Sequence, residues 1–255
     1  MKITFLGTGT SQGIPIIGST HPVCLSKNPK DKRLRVSILV EWDDYTYVID
    51  CGPDFRAQML RTNPSSLDAI LFTHEHADHT AGIDDIRPFF FKQGAIPVYA
   101  HKRVLKALKK RFDYIFKSHD KYPGAPSVDI HRVKKNQSFD VCGKKITPIN
   151  AAHNRLQVFG YRIDQFAYLT DVKSMKASQR KKLEGLDVLV VNALRQEPHH
   201  SHFNLDEAIS FAEQIGAKQT FFTHISHHLG FHEQVNKGLP EGIHLAYDGL
   251  KIELK

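Results

Sequence analysis

Residues 74–79 read His-Glu-His-Ala-Asp-His, which places four ligand-competent side chains within six positions. His74 and His76 stand two apart, so an extended backbone sends both to the same side. If the chain turns into a helix after Ala77, Asp78 and His79 swing round to face a second ion. That spacing suits two adjacent metal sites better than one. The plain alternative is an exposed loop that happens to be rich in histidine. An apolar strand before the run and a turn after it favour the metal reading.

Ligands of this kind need a rigid mount. Short apolar strands are predicted at 2–6, 36–41, 45–50, 69–73, 98–101, 145–150, 161–163, 167–171, 188–192, 220–224 and 251–254. Amphipathic helices are predicted at 54–61, 102–116, 172–183 and 205–215. The alternation implies sheets covered by helices. No Ser/Gly-rich linker divides the chain, so residues 1–255 are expected to form one domain. Several strands end in ligand-type residues: Val48-Ile49-Asp50, Leu71-Phe72-Thr73-His74, Leu169-Thr170-Asp171 and Phe222-Thr223-His224. Precise sites are usually mounted on such ends, and these four could converge on one edge. Each isolated candidate also has a bland alternative. His153 could be an ordinary loop histidine, Asp171 could cap a helix starting near Val172, and His224 could be a satisfied strand-end histidine.

The His-x-His-x-Asp-His run after an apolar strand, followed by isolated His153, Asp171 and His224, resembles the metallo-β-lactamase superfamily. The likeness extends from Phe5-Leu6-Gly7-Thr8-Gly9-Thr10 to Tyr247-Asp248-Gly249. It implies an α/β fold: an αββα sandwich of two packed mixed β-sheets flanked by helices, built as two similar halves with metals at one edge. It further implies that His74, His76 and His153 bind one ion, that Asp78, His79 and His224 bind another, and that Asp171 bridges them. Asp50 holds the place of the family's strand-end aspartate and is expected to orient a ligating histidine without binding metal itself. Two divalent cofactor ions are implied, Zn²⁺ first because imidazole suits it, with Mn²⁺ the rival because it accepts carboxylates. Such pairs lie roughly 3.5–4 Å apart and lower the pKa of a bridging water to about 7, which makes it a nucleophile for phosphoester, thioester or lactam hydrolysis.

The implied bridging carboxylate at Asp171 resembles the phosphodiesterase and thioesterase branches rather than the true β-lactamases. The likeness is strongest to PhnP-type phosphodiesterases, through Gly7-Thr8-Gly9-Thr10-Ser11-Gln12-Gly13-Ile14-Pro15, Arg33-Leu34-Arg35-Val36-Ser37 and Thr223-His224-Ile225-Ser226-His227. His202-Phe203-Asn204-Leu205 resembles a histidine that precedes a helix in these enzymes and in tRNase Z. It implies that His202 assists the leaving oxygen, with Asp78 serving the nucleophile from the second ion; an exposed loop residue is the alternative for His202. PhnP-type enzymes also carry a cysteine cluster for a structural zinc. Here that stretch reads Gly18-Ser19-Thr20-His21-Pro22-Val23-Cys24, so only His21, Cys24 and the distant His227 remain as ligands. That is one fewer than a closed structural zinc site wants.

Composition narrows the class. Hydrophobic residues make up 41% and charged residues 24%, which excludes a disordered chain. Cys24, Cys51 and Cys142 are odd in number and widely spaced, which argues against a disulfide framework and for a reducing compartment. No apolar run is long enough to span a bilayer, and the opening residues lack a signal-peptide core, so a cytoplasmic protein without membrane contact is expected. The net charge of +8 favours anionic partners. Lys102 to Lys121 is strongly basic, either a solvated helix face or a wall that attracts a phosphorylated substrate. The expected activity is hydrolysis of a small cyclic phosphate or nucleotide diester. The alternatives are a tRNase Z-like nuclease acting on RNA and a metal-binding protein without catalysis. A second copy of the chain is a candidate partner.

Overall fold

The computed structural model describes residues 1–117 and 119–254. Two seven-stranded sheets lie face to face. The first runs β14 (Lys251–Glu253), β1 (Lys2–Gly7), β2 (Ser37–Trp42), β3 (Tyr45–Ile49), β4 (Ala69–Leu71), β5 (Ile96–His101) and β6 (Val128–Val133). The second runs β13 (Ile243–Leu245), β12 (Gln219–Thr223), β11 (Val188–Asn192), β10 (Phe166–Tyr168), β9 (Leu156–Ile163), β8 (Lys144–His153) and β7 (Phe139–Val141). Both are mixed. Pairings are antiparallel from β14 to β3 and from β7 to β10, then parallel from β3 to β6 and from β10 to β13.

Burial explains the layers. Ile3, Phe5, Ile38 and Val40 of the first sheet pack against Phe159, Tyr161, Val190 and Phe221 of the second. Residues on the opposite faces meet helices. Leu39, Val48 and Val98 pack with Phe55 and Met59 of helix Phe55–Thr62 and with Val104 and Leu108 of helix Lys102–Arg111. Leu189 and Val191 pack with Ala208 and Phe211 of helix Leu205–Ile215. This is the expected αββα sandwich. Among the described residues, no helix is long and apolar enough to cross a membrane.

Several element bounds differ from the sequence reading. Strands β6, β7 and β13 are not predicted by it, and β6 exposes four of its six residues, which hides its alternation. The predicted helix at 102–116 breaks at Phe112 (φ −126°, ψ 46°), whose ring packs on the core under the helix, and a short turn Asp113–Phe116 comes next. The predicted helix at 172–183 shrinks to Ala177–Arg180 and a 3-10 turn, Lys181–Leu183. Its first residues bond elsewhere: the Val172 amide donates to Asn192 Oδ1 at 2.6 Å, and the Lys173 amide to the Ala152 carbonyl at 2.8 Å. Asp171 is therefore not a helix cap; Lys176 holds that place.

Candidate metal centre

The chain leaves β4 through Phe72 and Thr73 into His74, and His76 then sits at the start of the short helix Ala77–Thr80. That turn carries Asp78 and His79 round, as the spacing requires. It packs tightly against the loop after β3, since a Cβ on Gly52 would lie 2.1 Å from the Asp78 carbonyl oxygen. Three residues of the centre, one supporting and two facing the cluster, adopt strained backbone. Asp50, Asp171 and His224 have φ of 65°, 58° and 56°, a left-handed region costing of order 1–3 kcal/mol for ordinary residues, though Asp and His enter it more readily than most. The kink directly follows β3 at Asp50 and β12 at His224, comes after two further residues beyond β10 at Asp171, and re-aims each side chain.

Hydrogen bonds fix the imidazoles. Thr73 Oγ1 donates to Asp50 Oδ2 at 2.8 Å, so its oxygen accepts from His74 Nδ1 at 3.0 Å. His79 Nδ1 donates to Asp50 Oδ2 at 2.7 Å, and His153 Nδ1 donates to the Ser201 carbonyl at 2.8 Å. In all three rings Nδ1 holds the proton of the neutral form, which leaves Nε2 as the ligating atom. His79 Nε2 lies 3.2 Å from Asp171 Oδ2 and 3.3 Å from Asp78 Oδ2. His224 Nε2 lies 3.4 Å from Asp171 Oδ1 and 3.7 Å from Asp78 Oδ2. His76 Nδ1 stands 3.0 Å from His74 Nε2, and His202 Nδ1 stands 3.7 Å from Asp171 Oδ1. His79 Nε2, His202 Nδ1 and both His224 nitrogens are buried without a hydrogen-bond partner.

Charge is poised in the same way. Burial opposes the charged form of His79, but Asp78, Asp171 and Asp50 hold the imidazole well above its usual range. Burial likewise opposes ionisation of Asp171, yet His224 and His79 keep its carboxyl well below the ordinary value. Burial pushes Asp50 up despite His79. A proton on His79 thus compensates buried carboxylates, a role a divalent cation fills better because it also satisfies the unpartnered nitrogens. The donor set, imidazoles with carboxylates, suits Zn²⁺ or Mn²⁺.

Three groups bring their ligand atoms within 4.8 Å of one another: His74 with His79 and Asp171, Asp78 with His79 and His224, and His153 with Asp171 and His202. Asp171 belongs to two of them, in keeping with a shared position. His76 completes the arc by its rings' contacts, 4.6 Å from His74 and 5.4 Å from His153 between centroids. His202 lies 4.4 Å from His153 and 4.8 Å from His224, buried at the rim rather than on an exposed loop. Among the described residues, no such group includes His21, Cys24 or His227. The His21 and His227 rings do meet edge to face at 4.8 Å, but His21 Nδ1 accepts from the Val23 amide. Sequence reasoning missed Thr73, Asn192 and Glu75, whose roles are contacts made only after folding.

The family described as beta-lactamase superfamily domain matches residues 45–225, most of the strands and every proposed ligand of the centre. The chain belongs to that family. Its fold is similar to that of a solved structure described as a new diphosphatase from the PhnP family, 43% identical with a TM-score of 0.93, covering 100% of this chain and 98% of that one. It is 39% identical over 253 residues to an octanoyltransferase of Porphyromonas gingivalis, covering 98% of this chain and 51% of that protein. It is 28% identical over 170 residues to ribonuclease Z of Bacillus subtilis, covering 65% of this chain and 49% of the relative. The chain spans about half the length of these curated relatives.

Proposed function

We propose that this chain is a dinuclear metal-dependent hydrolase that cleaves small phosphodiesters, cyclic phosphates and nucleotide esters among them. One observation carries the reading: Asp171 sets both carboxylate oxygens against the unpartnered nitrogens of His79, His224 and His202 in one buried cluster. His74, His76 and His153 would hold one ion, Asp78, His79 and His224 the other, with Asp171 shared. Bound there, two divalent ions supply Lewis acidity and lower the pKa of a water to about 7. Asp50 fixes His79 and, through Thr73, His74. Asp78 would help to hold the second ion, its Oδ2 lying 3.3 Å from His79 Nε2 and 3.7 Å from His224 Nε2.

His202 is assigned to the leaving oxygen. Burial pushes its imidazole down to about 2 against the pull of Asp171, so it is neutral before substrate binds. A phosphate oxyanion at the rim supplies the opposite charge that favours its protonated form. His21, Cys24 and His227 are assigned no ion of their own.

The PhnP-family diphosphatase supports phosphate chemistry, because its identity to this chain is high and its coverage nearly complete. The ribonuclease Z relative supports a second reading, cleavage of RNA, favoured also by the exposed cations on helix Lys102–Arg111. Octanoyl transfer, the activity in the longer relative's name, is the competing chemistry that a test must separate from phosphodiester cleavage. Metal-loaded protein should be tested on bis(p-nitrophenyl) phosphate, cyclic and linear nucleotides, diphosphate esters, precursor tRNA and an octanoyl thioester. Turnover of small diesters with no tRNA cleavage is expected. Cleavage of the thioester alone, or inertness toward every ester with both ions bound, overturns the proposal.

A further inference from the structure

Helix Lys102–Arg111 carries six cations, and its apolar face, Val104, Leu105 and Leu108, is buried on the first sheet. Lys102, Lys106, Lys109 and Lys110 face solvent. Arg103 and Arg111 do something else. Arg103 Nε lies 2.9 Å from Glu75 Oε1, close enough for an ion pair though not aligned as a hydrogen bond, and its Nη2 donates to the Gln157 carbonyl. Arg111 Nη1 donates to Thr80 Oγ1 at 3.1 Å, and its Nη2 donates to the Glu75 carbonyl. Thr80 Oγ1 in turn donates to the His76 carbonyl at 2.8 Å.

These contacts have one geometric meaning. Glu75 sits between His74 and His76 in the chain. Gln157 lies on β9 opposite Ala152, the neighbour of His153 on β8. One guanidinium therefore touches both segments that carry the three histidines, and it does so from a helix locked by core packing. A guanidinium is a planar fork with donors at fixed angles, so it sets distance as well as charge. Neither arginine touches Asp78, His79, His224 or Asp171; His79 is held by Asp50, and the Ile225 amide next to His224 donates to the Thr8 carbonyl at 2.9 Å.

We propose that Arg103 is a positioning residue, with Arg111 as its second anchor, that sets the separation between His74/His76 and His153 and so the affinity of the ion those three hold. The assignment rests on the dinuclear reading. The Arg103–Glu75 pair is partly exposed, 35% and 18% at the side chains, so it adds little to stability, and its effect is on geometry.

The test is a titration of metal-free protein with Zn²⁺ against a chromophoric chelator, which resolves the affinity of each ion. Wild type should take up two. Arg103→Gln should weaken one ion by about 10–100-fold, the range for residues that orient ligands, and leave the other ion and the melting temperature of the metal-free protein unchanged. Glu75→Gln should reproduce part of that loss, and Arg103→Lys should recover part of it by restoring charge without the fork. His153→Ala should abolish the same ion, and adding Arg103→Gln to it should cost nothing further. Equal weakening of both ions, or unchanged affinities in Arg103→Gln beside a two-ion wild type, overturns the positioning role alone. Fewer than two ions in wild type overturns the dinuclear reading, and this inference with it.

Discussion

The two sheets repeat a single pairing pattern, three antiparallel contacts and then three parallel ones, so β3 corresponds to β10 and β5 to β12. The matched strands end differently. After β3 comes Asp50, which is fully buried and spends its oxygens on Thr73 and His79. After β10 comes Asp171, with the same left-handed backbone, whose oxygens face three imidazoles. β5 ends at His101 with extended backbone (φ −64°, ψ 148°), where the ring caps a helix. β12 leads to His224 at φ 56°, where the ring turns to the shared edge. The difference shows that a repeated scaffold does not make a repeated site. Backbone dihedral and the direction of one side chain decide whether a strand end supports the centre, joins it or leaves it.

The largest effect should come from the end that joins. Asp171→Asn removes the shared negative charge, and both ions should be lost together. Each ion is worth several kcal/mol of transition-state stabilisation, so activity should fall by more than about 10⁴-fold. Elemental analysis alongside kcat/KM checks this, and retention of both ions would remove Asp171 from its shared position. Next, His202→Ala should keep both ions and lose about 10²–10⁴-fold on diesters with alkoxide leaving groups, and much less on nitrophenyl esters. Equal losses on both would make His202 a phosphate-positioning residue, and loss of metal would make it a ligand.

Asp50→Asn tests the supporting end. It leaves a side chain of the same shape but alters the bonds to Thr73 and His79, so metal affinity should drop by about 10–100-fold while folding persists. If Asp50→Asn strips the metals as fully as Asp171→Asn does, the contrast between the matched strands collapses. A smaller effect belongs to the connection between β12 and β13, where His232 Nδ1 meets Arg33 Nη2 at 3.1 Å. Burial, and then Arg33 and Lys30, push His232 down to about 4. The unfolded chain takes up that proton near about 6.5, so His232 contributes stability above that pH that is lost as pH falls toward about 4. Denaturant midpoints for wild type and His232→Asn should diverge across this window, and parallel curves would contradict the contact. Smallest of all, His101→Asn keeps a capping side chain and should change neither metal content nor rate.

Much of the site is legible in the unfolded sequence. The apolar strands that end in Asp50, His74, Asp171 and His224 are visible as runs closed by a ligand-type residue, because burial on both faces leaves little room for other patterns. His153 and His202 are placed by resemblance, and the structure brings both to the same edge. Less legible are the edge strands β6, which exposes four of its six residues and so need not alternate, and β7, which is too short to show a pattern. The helix expected after Asp171 fails because Asn192 and the β8 backbone claim its first amides, contacts that no local pattern encodes. The arginines on helix Lys102–Arg111 look like surface charge for the same reason: their partners, Glu75 and Gln157, lie far away in the chain.

The pairing of β1 with β14 bears on how the first sheet assembles. Lys2 faces Glu253 across the sheet, so one flank of the first strand stays unpaired until a segment far along the chain docks on it. Until then the first sheet presents an open edge whose backbone groups can recruit another chain. The sheet that carries Asp50, His74 and His76 thus depends on a pairing between distant segments, a kind of contact that forms slowly and leaves partly folded chains exposed to aggregation.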